Sequence, residues 1–153
     1  MKPKSFAIWA NVGKKEVPTL VSSVAEWATN NNLELFLPDT LENLDFTANN
    51  CIFYNSEELP NVDFVLCLGG DGTLLSAVRL FSNPMVPVLG VHIGGLGFLA
   101  EVSKDNIDKS LEFIVEGKYK TEERMRIELL LKDNNSTKKF IALNDIVVDH
   151  GKS

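Results

Sequence analysis

Residues 64–75 read Phe64-Val65-Leu66-Cys67-Leu68-Gly69-Gly70-Asp71-Gly72-Thr73-Leu74-Leu75. The first five are uniformly apolar, the pattern of a strand buried on both faces. Leu74 to Leu80 reads as a helix. A glycine-rich turn between strand and helix brings several backbone N–H groups close to one anion. In open α/β sheets, ligands bind there, outside the carboxyl ends of the strands. Here the turn also carries a carboxylate. Asp71 repels phosphate, so a bare phosphate cradle does not account for it. A base or a metal ligand working beside phosphates does. The competing explanation is a tight turn, with Gly supplying positive φ and Asp71 capping the helix. Three glycines around one Asp, at the end of an apolar strand, favour the ligand site.

The flanking sequence repeats the strand–helix alternation. Residues 5–10 form a short apolar run. Pro18 suits the first turn of a helix, and Leu20, Val24 and Trp27 recur at helical spacing up to Asn30-Asn31-Asn32. Leu33 to Leu37 reads as a second strand, stopped by Pro38. Residues 39–61 are polar with only short apolar pieces, such as Cys51-Ile52-Phe53-Tyr54, and read as a loop-rich crossover. Beyond the glycine turn, Val86 to Val91 is a further strand. It leads into a second glycine run, Gly94-Gly95-Leu96-Gly97-Phe98-Leu99. Ser103 is placed to cap a helix carrying Ile107, Leu111 and Ile114, with Gly117 past its end. The expected fold class is α/β, a parallel sheet with helices on both faces.

From residue 123 the pattern changes. Ile127, Leu129 and Leu131 alternate with polar or opposite-face residues, Asp133 to Ser136 is turn chemistry, and Phe140 to Val148 reads as a second strand. A lone hairpin is marginal in water. The expected organisation is therefore an α/β nucleotide-binding domain over 1–122, then the first hairpin of a larger antiparallel β domain over 123–153.

The chain has 153 residues, 44% hydrophobic and 24% charged, with a net charge of −6. That charge argues against a nucleic-acid surface, which should be basic. No apolar run reaches membrane-span length. Cys51 and Cys67 make no disulfide framework, and the basic-then-apolar start breaks at Asn11 and Gly13, unlike a signal peptide. A cytoplasmic protein is expected. Cys67, Trp9 and Trp27 sit among apolar neighbours and read as core. His92 and His150 are too few for a zinc site. Arg124 and Arg126 are expected to pair with Glu122 and Glu123 at the surface.

Three segments, Leu68-Gly69-Gly70-Asp71-Gly72-Thr73, Gly94-Gly95-Leu96-Gly97-Phe98-Leu99 and Ala142-Leu143-Asn144-Asp145, resemble the successive motifs of bacterial NAD kinases in order and spacing. Diacylglycerol-type lipid kinases and phosphofructokinases carry similar first motifs; the second and third separate NAD kinases from them. The resemblance covers the α/β part and the hairpin, and places the family's C-terminal β domain beyond residue 153. It implies transfer of the γ-phosphoryl group of ATP, with Mg²⁺ or another divalent cation, to the 2′-hydroxyl of the adenosine ribose of NAD. Asp71 is then the residue acting on that hydroxyl. Gly70, Gly72 and Thr73 approach phosphates, Phe98 lies near the dinucleotide, and Asn144 with Asp145 contacts it. No metal-ligating residue is assigned. NAD and ATP are the expected partners, without nucleic acid or membrane, in a homo-oligomer of the complete protein. Two departures stand out: His92 occupies a position where the family usually has Asn, and Asp145 one where it usually has Glu.

Phosphoryl transfer needs positioning and charge neutralisation more than covalent chemistry. The chain offers no Gly-x-x-x-x-Gly-Lys-Ser/Thr loop, so the neutralising charge must come from the cation or from residues elsewhere in the complete protein. Neighbours on a regular strand point to opposite faces, so Asn144 and Asp145 reach one ligand only at a bulge or a strand end. The alternatives are a lipid kinase of the diacylglycerol type and a non-catalytic dinucleotide-binding or assembly module. NADP formation, lipid phosphorylation and binding without turnover distinguish the three.

Overall fold

The structure is a computed structural model describing residues 2–46, 51–82, 85–95, 97–133, 135–143 and 145–149. The chain divides into two compact units, Met1–Thr121 and Glu122–Ser153.

The first unit holds a six-stranded parallel sheet. Its strands are β1 (Ser5–Ala10), β2 (Glu34–Pro38), β3 (Cys51–Tyr54), β4 (Phe64–Gly69), β5 (Val88–His92) and β6 (Val102–Ser103). The spatial order is β3-β2-β1-β4-β5-β6, every pair parallel. Three α-helices accompany them: α1 (Val17–Asn30), α2 (Asp71–Leu80) and α3 (Ile107–Glu116). All six residues of β4 are buried, as a central strand covered on both faces requires. Side-chain parity sorts the core into two layers. Phe6, Ile8, Leu66, Leu68 and Val91 pack with Val17, Val21 and Val24 of α1 and Ile107, Leu111 and Ile114 of α3. Ala7 and Val65 face the other way and pack with Tyr54, Val62 and Phe81. The Trp9 indole N–H donates to Ser76 Oγ at 2.8 Å, tying β1 to α2. Leu66 is fully buried at the centre; truncation to Ala there costs about 2–5 kcal/mol.

Helix ends follow local chemistry. Pro18 lies in the first turn of α1, where its missing N–H costs nothing. Asn32, just past that helix, takes φ +56°, a conformation Asn tolerates. Gly117 closes α3 at φ +72°, and the Lys118 N–H reaches Phe113 O at 2.8 Å.

The structure corrects several local readings. Cys51–Tyr54 is an edge strand pairing with Leu35 to Pro38, not part of a loop-rich crossover. Pro38 is the last residue of β2, tolerated because it sits at the strand end. Ser103 belongs to β6 and precedes a short 3₁₀ turn, Lys104–Asn106; its hydroxyl accepts from Asn106 Nδ2 at 2.9 Å, and Asn106 occupies the N-cap of α3.

The second unit contains an antiparallel hairpin, β7 (Ile127–Asp133) and β8 (Ser136–Ala142), in which Ile127 pairs with Ala142 and Asp133 with Ser136. The second strand thus runs over 136–142 instead of 140–148. Lys139 pairs with Glu128 across the strands. Leu130, Leu131 and Phe140 are each about half exposed. Arg124 meets Glu122 at 2.9 Å, the expected surface pair.

Candidate active site

The strand order reverses direction between β1 and β4, and it is outside the carboxyl ends of strands at such a switch point that open α/β sheets bind their ligands. The chain leaves β1 at Asn11, whose N–H donates to Leu68 O at 2.9 Å. It leaves β5 at Ile93, whose N–H donates to Gly69 O at 2.9 Å. These two bonds set the loops after β1 and β5 on either side of the turn after β4.

That turn begins α2. Gly70 is its N-cap residue and Asp71 its first helical residue, and no side-chain cap bond forms. Asp71 therefore does not cap its own helix. Its carboxylate instead accepts the Phe98 N–H on Oδ2 at 2.9 Å and the Leu99 N–H on Oδ1 at 3.1 Å. One side chain of the first glycine motif thus holds the backbone of the second. Donation from Phe98 above all, then from Leu99 and with help from Ala100, holds the Asp71 carboxyl below the usual carboxylate range, against a smaller upward push from desolvation. A carboxylate has about four acceptor positions, so capacity remains for a hydroxyl.

The glycines of the two motifs do different work. A Cβ on Gly69 would run into the Thr73 side chain, and one on Gly90 into Leu74 Cδ1. A Cβ on Gly97 would collide with Asp71 Oδ1. These three are empty so that the protein can pack on itself. Gly70 and Gly72 meet nothing within 4 Å and face open space.

Among the residues expected at the site, Asp71, Gly70, Gly72 and Phe98 come together. Thr73 is present, with its side chain against Gly69 and its N–H bonded to Gly70 O at 3.0 Å. The Phe98 ring is fully exposed while its N–H is fixed on Asp71. Asn144 lies outside the described residues. Asp145 is an exposed residue of the second unit, three positions past the end of β8, so the expectation of a strand running through it is corrected. His92, where Asn was expected, pairs in register with Gly69, and its Nδ1 is buried without a partner among the described residues. Burial pushes the Cys67 thiol up to about 12, an inert core group.

Among the described residues no three His, Cys, Asp or Glu side chains gather as a metal cluster, and Asp71 is already bonded to backbone N–H groups. These residues do not by themselves fit a divalent cation. Among them, too, no helix is long and apolar enough to cross a membrane. Sequence reasoning missed the clasp between the motifs. Its only signal was the coexistence of an acid in one glycine run and a second glycine run to receive it.

The family model described as the ATP-NAD kinase N-terminal domain matches residues 6–119. The NAD kinase of Syntrophobacter fumaroxidans is 36% identical over 140 residues, covering 90% of this chain and 48% of the relative. That of Natranaerobius thermophilus is 30% identical over 150 residues, covering 97% and 52%. The chain spans about half the length of these curated relatives. Yeast NADH kinase complexed with NADH superposes with a TM-score of 0.79 at 21% identity, covering 93% of this chain and 46% of that one, a likeness of fold. The NAD kinase of Archaeoglobus fulgidus in complex with ATP superposes at 0.52 with 22% identity, covering 82% and 40%. None of these matches favours a lipid kinase. A match running through nearly the whole parallel sheet, and through both glycine motifs that Asp71 joins, places the chain in the NAD kinase family, as its N-terminal domain.

Proposed function

We propose that the complete protein built on this chain transfers the γ-phosphoryl group of ATP to the 2′-hydroxyl of the adenosine ribose of NAD, giving NADP. The observation that carries this reading is the Asp71 carboxylate, ionised and fixed between two glycine loops at the switch point, beside the open faces of Gly70 and Gly72. Support also comes from the relatives named NAD kinase and from the neighbours solved with NADH and with ATP.

In this reading Asp71 accepts the proton of the ribose 2′-hydroxyl while that hydroxyl's oxygen forms a bond to the γ-phosphorus. The bond from that phosphorus to the β–γ bridging oxygen breaks, ADP leaves, and Asp71 returns the proton to solvent. Gly70 and Gly72 let phosphates approach the backbone at the start of α2. Thr73 packs that turn onto Gly69, and Phe98 offers a flat ring to the dinucleotide. Asn144 and Asp145 orient the dinucleotide from the segment after β8. Residues 1–122 serve as the nucleotide-binding domain and 123–153 open the β-rich domain. A divalent cation enters with ATP, and the protein works as a cytoplasmic homo-oligomer.

The test is NADP formation from NAD and ATP by the complete protein. NADP formation with a 2′-phosphate supports the reading. Phosphorylation of a lipid headgroup alone, or binding of NAD without turnover, contradicts it.

A further inference from the structure

We infer that Lys14 supplies the positive charge that the phosphates require at this site; the inference rests on the phosphoryl-transfer reading above. A triphosphate approaching the turn after β4 meets an ionised Asp71 on a chain of net charge −6. The turn after β4 has no lysine to offset that repulsion.

The loop after β1 provides one. Asn11-Val12-Gly13-Lys14-Lys15 leaves the sheet beside the glycine-bearing strand, fixed by the Asn11 N–H on Leu68 O. Asn11 Oδ1 accepts the Gly13 N–H at 3.0 Å, and the Lys14 N–H donates to Asn11 O at 3.0 Å, so the loop is a defined turn. The Lys14 ammonium stands over the second glycine run: a Cβ on Gly94 would lie 3.6 Å from Nζ. Gly94 takes φ +102°, which other side chains rarely adopt. Three residues further on, Gly97 abuts the Asp71 carboxylate. Three Cα steps span at most about 11 Å. One cation and one carboxylate thus stand against the two ends of the same short loop, at the carboxyl ends of β1 and β4. Lys104 is engaged with Glu16 at 3.9 Å, whereas Lys14 forms no ion pair among the described residues. A lysine is a compact point charge suited to a phosphate oxygen.

The test is calorimetric titration of inorganic triphosphate into this chain, as wild type, Lys14→Met and Lys14→Arg, at low and high salt. Lys14→Met should weaken binding about 10- to 100-fold, the range for losing a hydrogen bond to a charged group. It should also remove most of the salt dependence. Lys14→Arg should stay within a few fold of wild type, and all three should melt together because Lys14 is partly exposed. Wild-type affinity in Lys14→Met, or no triphosphate binding by the wild-type chain, overturns the inference. NADP formation by the complete protein is measured separately. If NADP forms while Lys14→Met binds triphosphate normally, the Lys14 inference alone falls. If triphosphate binding depends on Lys14 but no NADP forms, the anion site stands and the kinase reading falls.

Discussion

The glycines of the two runs look alike as sequence, yet within each run they leave room for different things: Gly69 of the first abuts Thr73, and Gly95 of the second meets nothing within 4 Å. In the turn after β4, Gly70 and Gly72 face open space. In the loop after β5, the empty side of Gly97 is filled by the Asp71 carboxylate. The first pair is available to a ligand; the second position is taken up by the protein itself. Glycine content therefore does not mark a ligand cradle. What marks it is a glycine whose absent Cβ meets nothing, next to a chemically competent group that is held in place.

The largest expected effect is at the residue that joins the two runs. Asp71→Asn in the complete protein should lower turnover by about 10²–10⁴, the range for a lost general base. Asn also presents an NH₂ group to one of the two N–H donors, so the second loop should loosen. Steady-state kinetics check the first effect, and near wild-type turnover removes Asp71 from the mechanism.

Next comes Gly97→Ala. A Cβ there collides with Asp71 Oδ1 and forces the carboxylate or the loop to move. A displacement near 1 Å in a positioned group costs about 10² in rate. A crystal structure of the variant and its turnover, measured together, check this. Unchanged turnover with the carboxylate still bonded to Phe98 would merge the two classes of glycine.

Gly72→Ala should be milder and opposite in its effect on stability. Ala is the better residue in a helix, and here its Cβ meets nothing, so the melting temperature should hold or rise by a few degrees. Affinity for ATP should fall about tenfold if one backbone N–H loses its phosphate. Wild-type affinity would show that the open face serves no ligand.

The smallest effect concerns pH. The folded-state pKa of Asp71 is lowered, so its contribution to the loop is complete above the unfolded value of about 3.9 and is lost as pH falls through the lower folded one. The Phe98 and Leu99 amide resonances should hold steady between pH 7 and 5 and shift only on stronger acidification. A transition near pH 6 would assign the loop to another group.

The parallel sheet and its glycine turn were legible because β4 is apolar throughout and the turn interrupts it sharply. Ser5–Ala10 and Gly117 were legible for similar reasons of run length and cap chemistry. Cys51–Tyr54 was not: four residues within a polar stretch give too few positions to count a period. Nor was the register of β8, which begins with Ser136-Thr137-Lys138-Lys139. These residues are all exposed, and a strand with no buried face leaves no alternation to read. Asp71 was legible as a carboxylate in an unusual turn. Its grip on Phe98 was not, because a side-chain-to-backbone bond across 27 residues has no periodic signature.

One carboxylate couples the two glycine runs, and amide hydrogen exchange is the sharpest test of that coupling. Exchange at Phe98 and Leu99 is measured in this chain as wild type and as Asp71→Asn, with the buried strand β4 as internal reference. Both amides should be protected in the wild type and should selectively lose that protection in the variant, with β4 unchanged. Equal exchange at Phe98 and Leu99 in the two proteins would contradict the coupling.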